Sequence, residues 1–506
     1  MSRFFNGLEP ERVWYHFEEI TKLPHGSRNE DAVRQYIGEF AKTRGLDCYY
    51  RPDAPGDRPG ERNIVLYKKA APGLEDKPTL VLQAHMDMVC VPDDRIYPLQ
   101  LLYCGADGMA GDGWVKAGDY GDAGTTLGAD NGIGIAVALA ILEDNQTALG
   151  PIEVLLTVQE EVGLEGARDF DPGLLKGRTM INVDEIEVDA IIYGCAGGLT
   201  TEFIAPVQRA PVAAASKCFA LKVGGLKGGH SGVAIADGGA NAIQLIAQML
   251  QRGKADGLRL NLATFAGGRL VQNNVIPANA NATVIVRCDE AAEWERLVAA
   301  LSADFKKAYQ KADPDLRIEW DETELPAQMI DDQGTGRILA ILTQVPHGVL
   351  KMVPSQPELI ETSSNLASIG LQDGQALIHC MHRSSAADGL DWMKRIHESL
   401  AEQVGAVIKY IEFYPSWSPD PGSPLLQRTK TVYDRYNQGQ ARTIVIHAGL
   451  ECGWLVEKYR NDQTPMECVA IGPNLVDLHS SRERVEIRSV QQFYRCVVDI
   501  LKSYAV

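Results

Sequence analysis

Histidines and acids gather in this chain at the places where strands should end. Leu82-Gln83-Ala84-His85-Met86-Asp87-Met88-Val89 reads as a buried strand with a histidine and an aspartate two residues apart at its tip. Side chains at i and i+2 share one face of a strand, so the pair could be a metal-ligating imidazole with a supporting carboxylate. The bland reading is a satisfied histidine beside a turn-starting aspartate. The Gly-rich turn Gly124-Thr-Thr-Leu-Gly128-Ala-Asp130-Asn-Gly132 delivers Asp130 into an apolar helix running from Ile135 to Glu143. A plain helix cap is the alternative there, and the G-x-G-x-x-G phosphate loop is excluded by its spacing. The β-rich run from Ile152 ends in Glu160-Glu161, and Thr179-Met-Ile-Asn-Val-Asp184 is a third apolar strand ending in an acid. Adjacent carboxylates at a buried strand tip repel and lose hydration unless a cation is present. Near the C-terminus Asp477-Leu-His479-Ser480 follows Gly472-Pro473. Carboxyl ends of strands in an open α/β sheet open on one crevice. His85, Asp130, Glu161, Asp184 and His479 therefore suit two Zn²⁺ ions with one carboxylate bridging, although Mn²⁺ and Co²⁺ can share such ligands.

Hydrolysis of an amide needs an activated water, a polarised carbonyl and a proton for the leaving amine. Strand side chains alternate, so Glu160 and Glu161 are expected to point to opposite sides. One can then be a ligand and the other a general base. Elsewhere, Asn274 and Arg383 are candidates for a substrate carboxylate, because Arg grips a carboxylate through two parallel bonds. The bland reading of Arg383 is a solvated strand-end cation. Glu451 follows the turn His447-Ala-Gly449 and could bind a free α-amine; helix-start electrostatics would equally place an acid there. His447 is either part of that pocket or structural. His16, His25, His347, His379, His382 and His397 have no ligand-like context and read as structural.

The elements that must position these groups alternate. Helices are expected over 10–23 and 29–44, strands near 63–68 and 79–84, a helix from Asn131, and strands near 152–158 and 179–183. That order predicts an α/β fold with a mostly parallel central sheet. Cys195-Ala-Gly197-Gly198 reads as a hinge into an inserted α+β domain. Strands at 219–223, 258–265, 282–287, 376–381 and 407–413 and helices at 240–251 and 387–404 build it from two related halves. The chain returns through the Pro-rich turn at Trp417. A helix near 423–437, a strand at 443–446 and a helix near 488–502 then follow. The expected boundaries are 1–197 and 416–506 for the catalytic domain and 198–415 for the insert.

The chain has 506 residues, long for one core. Its 45% hydrophobic and 23% charged content is that of a globular protein. A net charge of -18 argues against nucleic acid or an anionic membrane as partner. The ten cysteines are scattered and mostly in apolar runs, which fits reduced thiols in a cytoplasmic protein. The N-terminus lacks the apolar core and cleavage site of a signal peptide, and no run is long and apolar enough to span a membrane.

With these motifs in hand, the sequence resembles the M20 family of metallopeptidases, and within it the aminoacyl-histidine dipeptidases (Xaa-His dipeptidases, bacterial carnosinases). The strings that carry the resemblance are His85-Met-Asp87-Met-Val, Gly124-Thr-Thr-Leu-Gly-Ala-Asp130-Asn-Gly, Glu160-Glu161-Val-Gly, Gly228-Gly-His230-Ser-Gly, Glu361-Thr-Ser-Ser-Asn365 and His447-Ala-Gly-Leu-Glu451-Cys-Gly. It runs from about Leu8 to the C-terminus. The resemblance implies a zinc-peptidase-like catalytic domain with a lid, cutting unblocked dipeptides, Xaa-His among them, by a di-metal-activated water. It implies that Asp130 bridges the metals, with His85 and Asp184 at one and Glu161 and His479 at the other. It further implies Glu160 as general base, Asp87 as the support of His85, and His230 as a lid histidine that polarises the scissile carbonyl, within one chain or across a homodimer. Three features depart from the family pattern: the acids that follow Asp184, Ser481 after His479-Ser480, and a long stretch from Pro92 to Asp122. The alternatives are another M20-type amidohydrolase (a broad-specificity dipeptidase, tripeptidase or deacylase) and a non-catalytic metal-dependent binding protein.

Overall fold

The computed structural model describes residues 3–51, 56–92, 97–109, 111–118, 124–270, 273–353, 356–386 and 388–505. Part of the long stretch between Pro92 and Asp122 lies outside them. The chain forms two units: Met1–Cys195 with Pro419–Ile446 and Leu450–Val506, and Ala196–Ser418 with His447–Gly449.

The first unit is built on an eight-stranded sheet. Its order is Asp47–Tyr49, Ile64–Lys68, Ile152–Thr157, Leu80–His85, Thr179–Asn182, Glu467–Ala470, Ala190–Cys195, Arg442–Ile446. Pairing is parallel from Ile152–Thr157 through to Glu467–Ala470 and antiparallel on both sides of that block. The register sets His85 opposite Thr157, and Gln83 opposite Asn182. Asn182 in turn lies opposite Ala470. All four strands of the parallel block therefore end at one edge, and the segments that follow carry the candidate ligands. Behind them lies the helix Ala129–Glu143, in which Ile133 and Ile135 through Leu142 are all buried. A helix apolar on every side belongs inside a core. The helices Glu11–Ile20 and Ile487–Ser503 pack against it. Leu101–Cys104 and Trp114–Ala117 form a smaller sheet with Leu475–Val476 and Arg484–Glu486.

The second unit is an antiparallel sheet covered by helices. One half carries Arg317–Thr323, Ser216–Gly224, Ala280–Arg287 and Leu260–Gly267, with helices Ala242–Ala255 and Ala291–Ala308. The other carries Gln356–Gln372, Gln375–Ser384, Gly197–Pro206 and Val407–Tyr414, with helices Asp332–Gln344 and Gly389–Val404. The halves join where Gly267 pairs with Ile369. The expected hinge at Cys195–Gly198 is a direct passage between two strands, Ala190–Cys195 and Gly197–Pro206.

Of the histidines read as structural, His382 and His397 lie buried side by side in the second unit. His382 bonds the hydroxyls of Thr201 and Ser364 at 3.1 and 3.0 Å. His397 is fully buried, 4.5 Å edge-to-face from His382, and neither of its ring nitrogens has a hydrogen-bond partner. Burial pushes its pKa from 6.5 down to about 4, so it stays neutral. The unfolded state binds a proton below 6.5 and the native state only near 4, so stability should fall as pH drops through that window, by up to about 3 kcal/mol. His397→Leu removes two unsatisfied polar atoms. It is expected to leave thermal stability at pH 7.5 unchanged or higher and to blunt the loss at pH 5, read by calorimetry.

Candidate metal centre

The ends of the parallel strands bring the predicted ligands together. His85 closes the strand Leu80–His85, and its Nδ1 lies 3.0 Å from the main-chain carbonyl of Asp87. That bond keeps the proton on Nδ1 and leaves the Nε2 lone pair free. Nε2 faces Asp130 Oδ1 at 3.0 Å and Asp184 Oδ1 at 3.4 Å. On the other side, His479 Nε2 stands 3.2 Å from Asp130 Oδ2 and 3.0 Å from Glu161 Oε1. Yet Glu161 Oε1 is buried and receives no aligned hydrogen bond. His85–Asp130–Asp184 and Asp130–Glu161–His479 are two sets of donor atoms, each within 4.8 Å, that share Asp130. His85, Glu160 and Glu161 form a third. Imidazole nitrogens and carboxylate oxygens that converge in two sets sharing one carboxylate fit two divalent cations.

Electrostatics agrees. Burial, with neighbouring acids adding to it, pushes the Glu160 carboxyl well above the usual carboxylate range and raises Glu161 and Asp184. His479 is pushed up to about 11 by Asp130 and Glu161, and His85 rises too, its acidic neighbours outweighing its burial. The cluster demands positive charge, and a bound cation meets that demand where protons otherwise must.

Asp87 meets His85 through both its main-chain carbonyl and its carboxylate, and it also reaches the paired glutamates. Its carboxylate lies 3.5 Å from His85 Nδ1. It accepts from Ser27 Oγ at 2.7 Å and from the backbone N–H groups of Glu160 at 2.9 Å and Glu161 at 3.2 Å. The strand Ile152–Thr157 has already ended at that point, and Gln159 adopts φ +56°. Glu160 and Glu161 thus lie in a turn, and strand alternation does not separate them. The turn fixed by Asp87 does.

Glu451 begins the helix Glu451–Lys458 and is 1% exposed. Its Oε2 accepts from Gln83 Nε2 at 2.5 Å and Thr157 Oγ1 at 2.7 Å, while Oε1 is buried without a partner. Sequence reasoning missed three groups here. Gln83 bonds Asn182 at 2.6 Å. Asn131 Nδ2 donates to Asp184 Oδ1 and, at 3.1 Å, to the carbonyl of Val183. Glu483 accepts backbone N–H groups on both sides of Gly128. The Asn-Gly after Asp130 was the one available signal.

Other candidates lie within the second unit. His230 is exposed, with Nε2 3.5 Å from Arg383 Nη2. Arg383 is buried; its Nη1 donates to Tyr414 Oη at 2.7 Å, and its Nε has no partner. Asn274 is exposed, and its carbonyl accepts from Ser231 N at 2.8 Å beside the Gly229–His230 strand. His447 Nε2 bonds Ser363 Oγ at 2.7 Å.

Comparison with known proteins gives the same picture. Residues 220–313 match the peptidase dimerisation domain. The chain is 34% identical to the cytosol non-specific dipeptidase of Escherichia coli (strain K12), over 98% of each protein. It superposes on the crystal structure of aminoacylhistidine dipeptidase from Vibrio alginolyticus with a TM-score of 0.85 and 34% identity, covering 98% of this chain and 97% of that one. A tripeptidase from Staphylococcus aureus shares the fold, with TM-score 0.56 and 17% identity over 98% and 99% of the two chains.

The shared position of Asp130 makes a stoichiometric prediction. The wild-type chain should carry two divalent ions by elemental analysis. Asp130→Asn should lose both, while Glu161→Gln and Asp184→Asn should each lose one. Chelation should lower the thermal midpoint, since a ligand at 100 times its Kd stabilises by about 2.7 kcal/mol per site.

Proposed function

The chain belongs to the M20 metallopeptidases, and on that footing we propose that it hydrolyses unblocked dipeptides, with Xaa-His among its substrates. The observation that carries the reading is the convergence of His85, Asp130, Glu161, Asp184 and His479 on two donor sets with Glu160 beside them. M20 peptidases are dinuclear metal enzymes; the nitrogen-and-oxygen donor set here favours Zn²⁺ as the resident ion. When bound, the ions supply an acidified water and a Lewis acid for the scissile carbonyl.

The chain's own residues do the rest. Glu160, its backbone N–H held by Asp87, takes a proton from the attacking water and returns it to the leaving amine. His230 donates toward the carbonyl oxygen as negative charge develops there. Arg383 binds the substrate carboxylate, with Asn274 as a second donor; the partnerless Nε of a buried guanidinium supports this. The partnerless Oε1 of Glu451 supports a role in holding the free α-ammonium. The match of residues 220–313 to the dimerisation domain supports a homodimer. The name of the Escherichia coli relative, together with ten unpaired cysteines, supports a cytoplasmic enzyme. No helix among the described residues is long and apolar enough to cross a membrane.

Hydrolysis of Gly-His, Gly-Leu, Gly-Gly-His and N-acetyl-Gly-His, with added Zn²⁺ and after chelation, tests the reading. Metal-dependent cleavage of the two free dipeptides, with the tripeptide and the acetylated peptide spared, is expected. Equal rates on free and acetylated peptides would remove amine recognition, and equal rates on the tripeptide would make the enzyme a broader peptidase. Glu160→Gln should retain both ions and lose about 10²–10⁴ in rate. Arg383→Ala should raise KM more than it lowers kcat.

A further inference from the structure

The loop that carries Asp130 is not held by its own helix. Gly128 adopts φ +74°, and Asp130 and Asn131 have non-helical backbone angles, so the start of Ala129–Glu143 lacks a regular first turn. Helix starts leave backbone N–H groups without internal acceptors. Here one side chain from a distant segment takes them. Glu483, 1% exposed, accepts the N–H of Leu127 at 2.8 Å and of Gly128 at 2.9 Å on Oε2, and that of Asp130 at 3.1 Å on Oε1. A negative charge at a helix N-terminus is also favourable electrostatically.

Glu483 is four residues beyond His479, in a turn with few free groups. Ser480 Oγ donates to the Asp477 carbonyl at 2.6 Å and accepts from Arg482 N at 3.1 Å. Glu483 N donates to the Ser480 carbonyl at 3.2 Å, and Arg484 Nη1 bonds Asp477 Oδ2 at 2.6 Å. One knitted turn thus presents the His479 imidazole to Asp130 Oδ2 and grips the Asp130 backbone. On the far side Asn131, the next residue, bonds Asp184.

We propose that Glu483 is a positioning residue that holds Asp130 in place for both ions before either binds. This rests on the reading of Asp130 as the shared ligand. Only a carboxylate at this reach suits the task. An amide replaces one accepting oxygen with a donor that opposes a backbone N–H, and aspartate is one methylene too short. Groups that orient metal ligands are typically worth 10–100-fold in metal affinity.

The test is Co²⁺ and Zn²⁺ affinity of the full-length wild type, Glu483→Gln and Glu483→Asp, by competition with a chromophoric chelator. The visible spectrum of the Co²⁺ form and hydrogen exchange at residues 124–131 are recorded alongside. The expected result is folded variants with affinity reduced 10–100-fold at both sites, an altered Co²⁺ spectrum, and kcat largely recovered at saturating metal. In chelated wild type, the amides of Leu127, Gly128 and Asp130 should stay protected. Wild-type affinity and spectrum in folded Glu483→Gln would overturn the proposal. So would free exchange of those amides in chelated wild type, a readout that stands even if the variants fail to fold. Failure of the wild type itself to bind two ions would instead defeat the shared-ligand reading.

Discussion

The structure turns on a repulsion. Asp130, Glu160, Glu161 and Asp184, four carboxylates, crowd around only two imidazoles, His85 and His479. Such a cluster does not form by its own attraction, so the scaffold must impose it. The parallel register brings the ends of Leu80–His85, Ile152–Thr157 and Thr179–Asn182 to one level. Asp87 then fixes three things at once. Its carbonyl orients His85, and its carboxylate pins the backbone of Glu160 and of Glu161. Further back in the same turn, Val158 N is taken by Asn63 and Gln159 N by Glu30. Consecutive backbone donors held by buried side chains leave the turn little freedom to relax away from the like charges.

A polar layer lies directly under the ligands. Gln83 and Asn182 each sit two residues before a ligand and face one another across neighbouring strands. Gln83 also donates to Thr157 and Glu451, and the Asn182 side-chain oxygen accepts from Asp184 N at 3.2 Å. Buried amides committed in both directions specify one arrangement, because any slip leaves a donor or acceptor unpaired. The layer thereby converts strand register into ligand position. An apolar layer would hold the sheet together equally well but would tolerate shifts along the strands.

The ligands themselves were legible because each ends an apolar run, and the alternation of helix and strand gave the α/β unit and its insert. The antiparallel flanks of the central sheet were not legible, since periodicity reports burial and not strand direction. Nor was the stretch 288–375, which hides the helix Asp332–Gln344 and the strand Gln356–Gln372; a strand packed on both faces loses its alternating pattern. Glu483 was invisible for another reason. Ser480-Ser-Arg-Glu-Arg reads as a solvated turn, and nothing local announces that its fourth residue reaches the backbone of residues 127–130. His447 had been assigned with the chain's final segment, yet its partner Ser363 belongs to the inserted unit. Such roles depend on contacts 84 or more residues away in sequence, which no local pattern encodes.

Buried polar atoms left without partners include both neutral and ionisable groups. His397 remains neutral, so its two empty nitrogens are a modest structural burden. Burial without a partner is far more costly for an ionic group. Among the described residues, such atoms include carboxylate oxygens on Glu161 and Glu451 in the first unit and a guanidinium nitrogen on Arg383 in the second. Glu161 has its explanation in the metal centre. Burial pushes the Glu451 carboxyl up to about 8, a cost that a cation beside it would lift, and the buried Arg383 guanidinium would be eased in the same way by an anion.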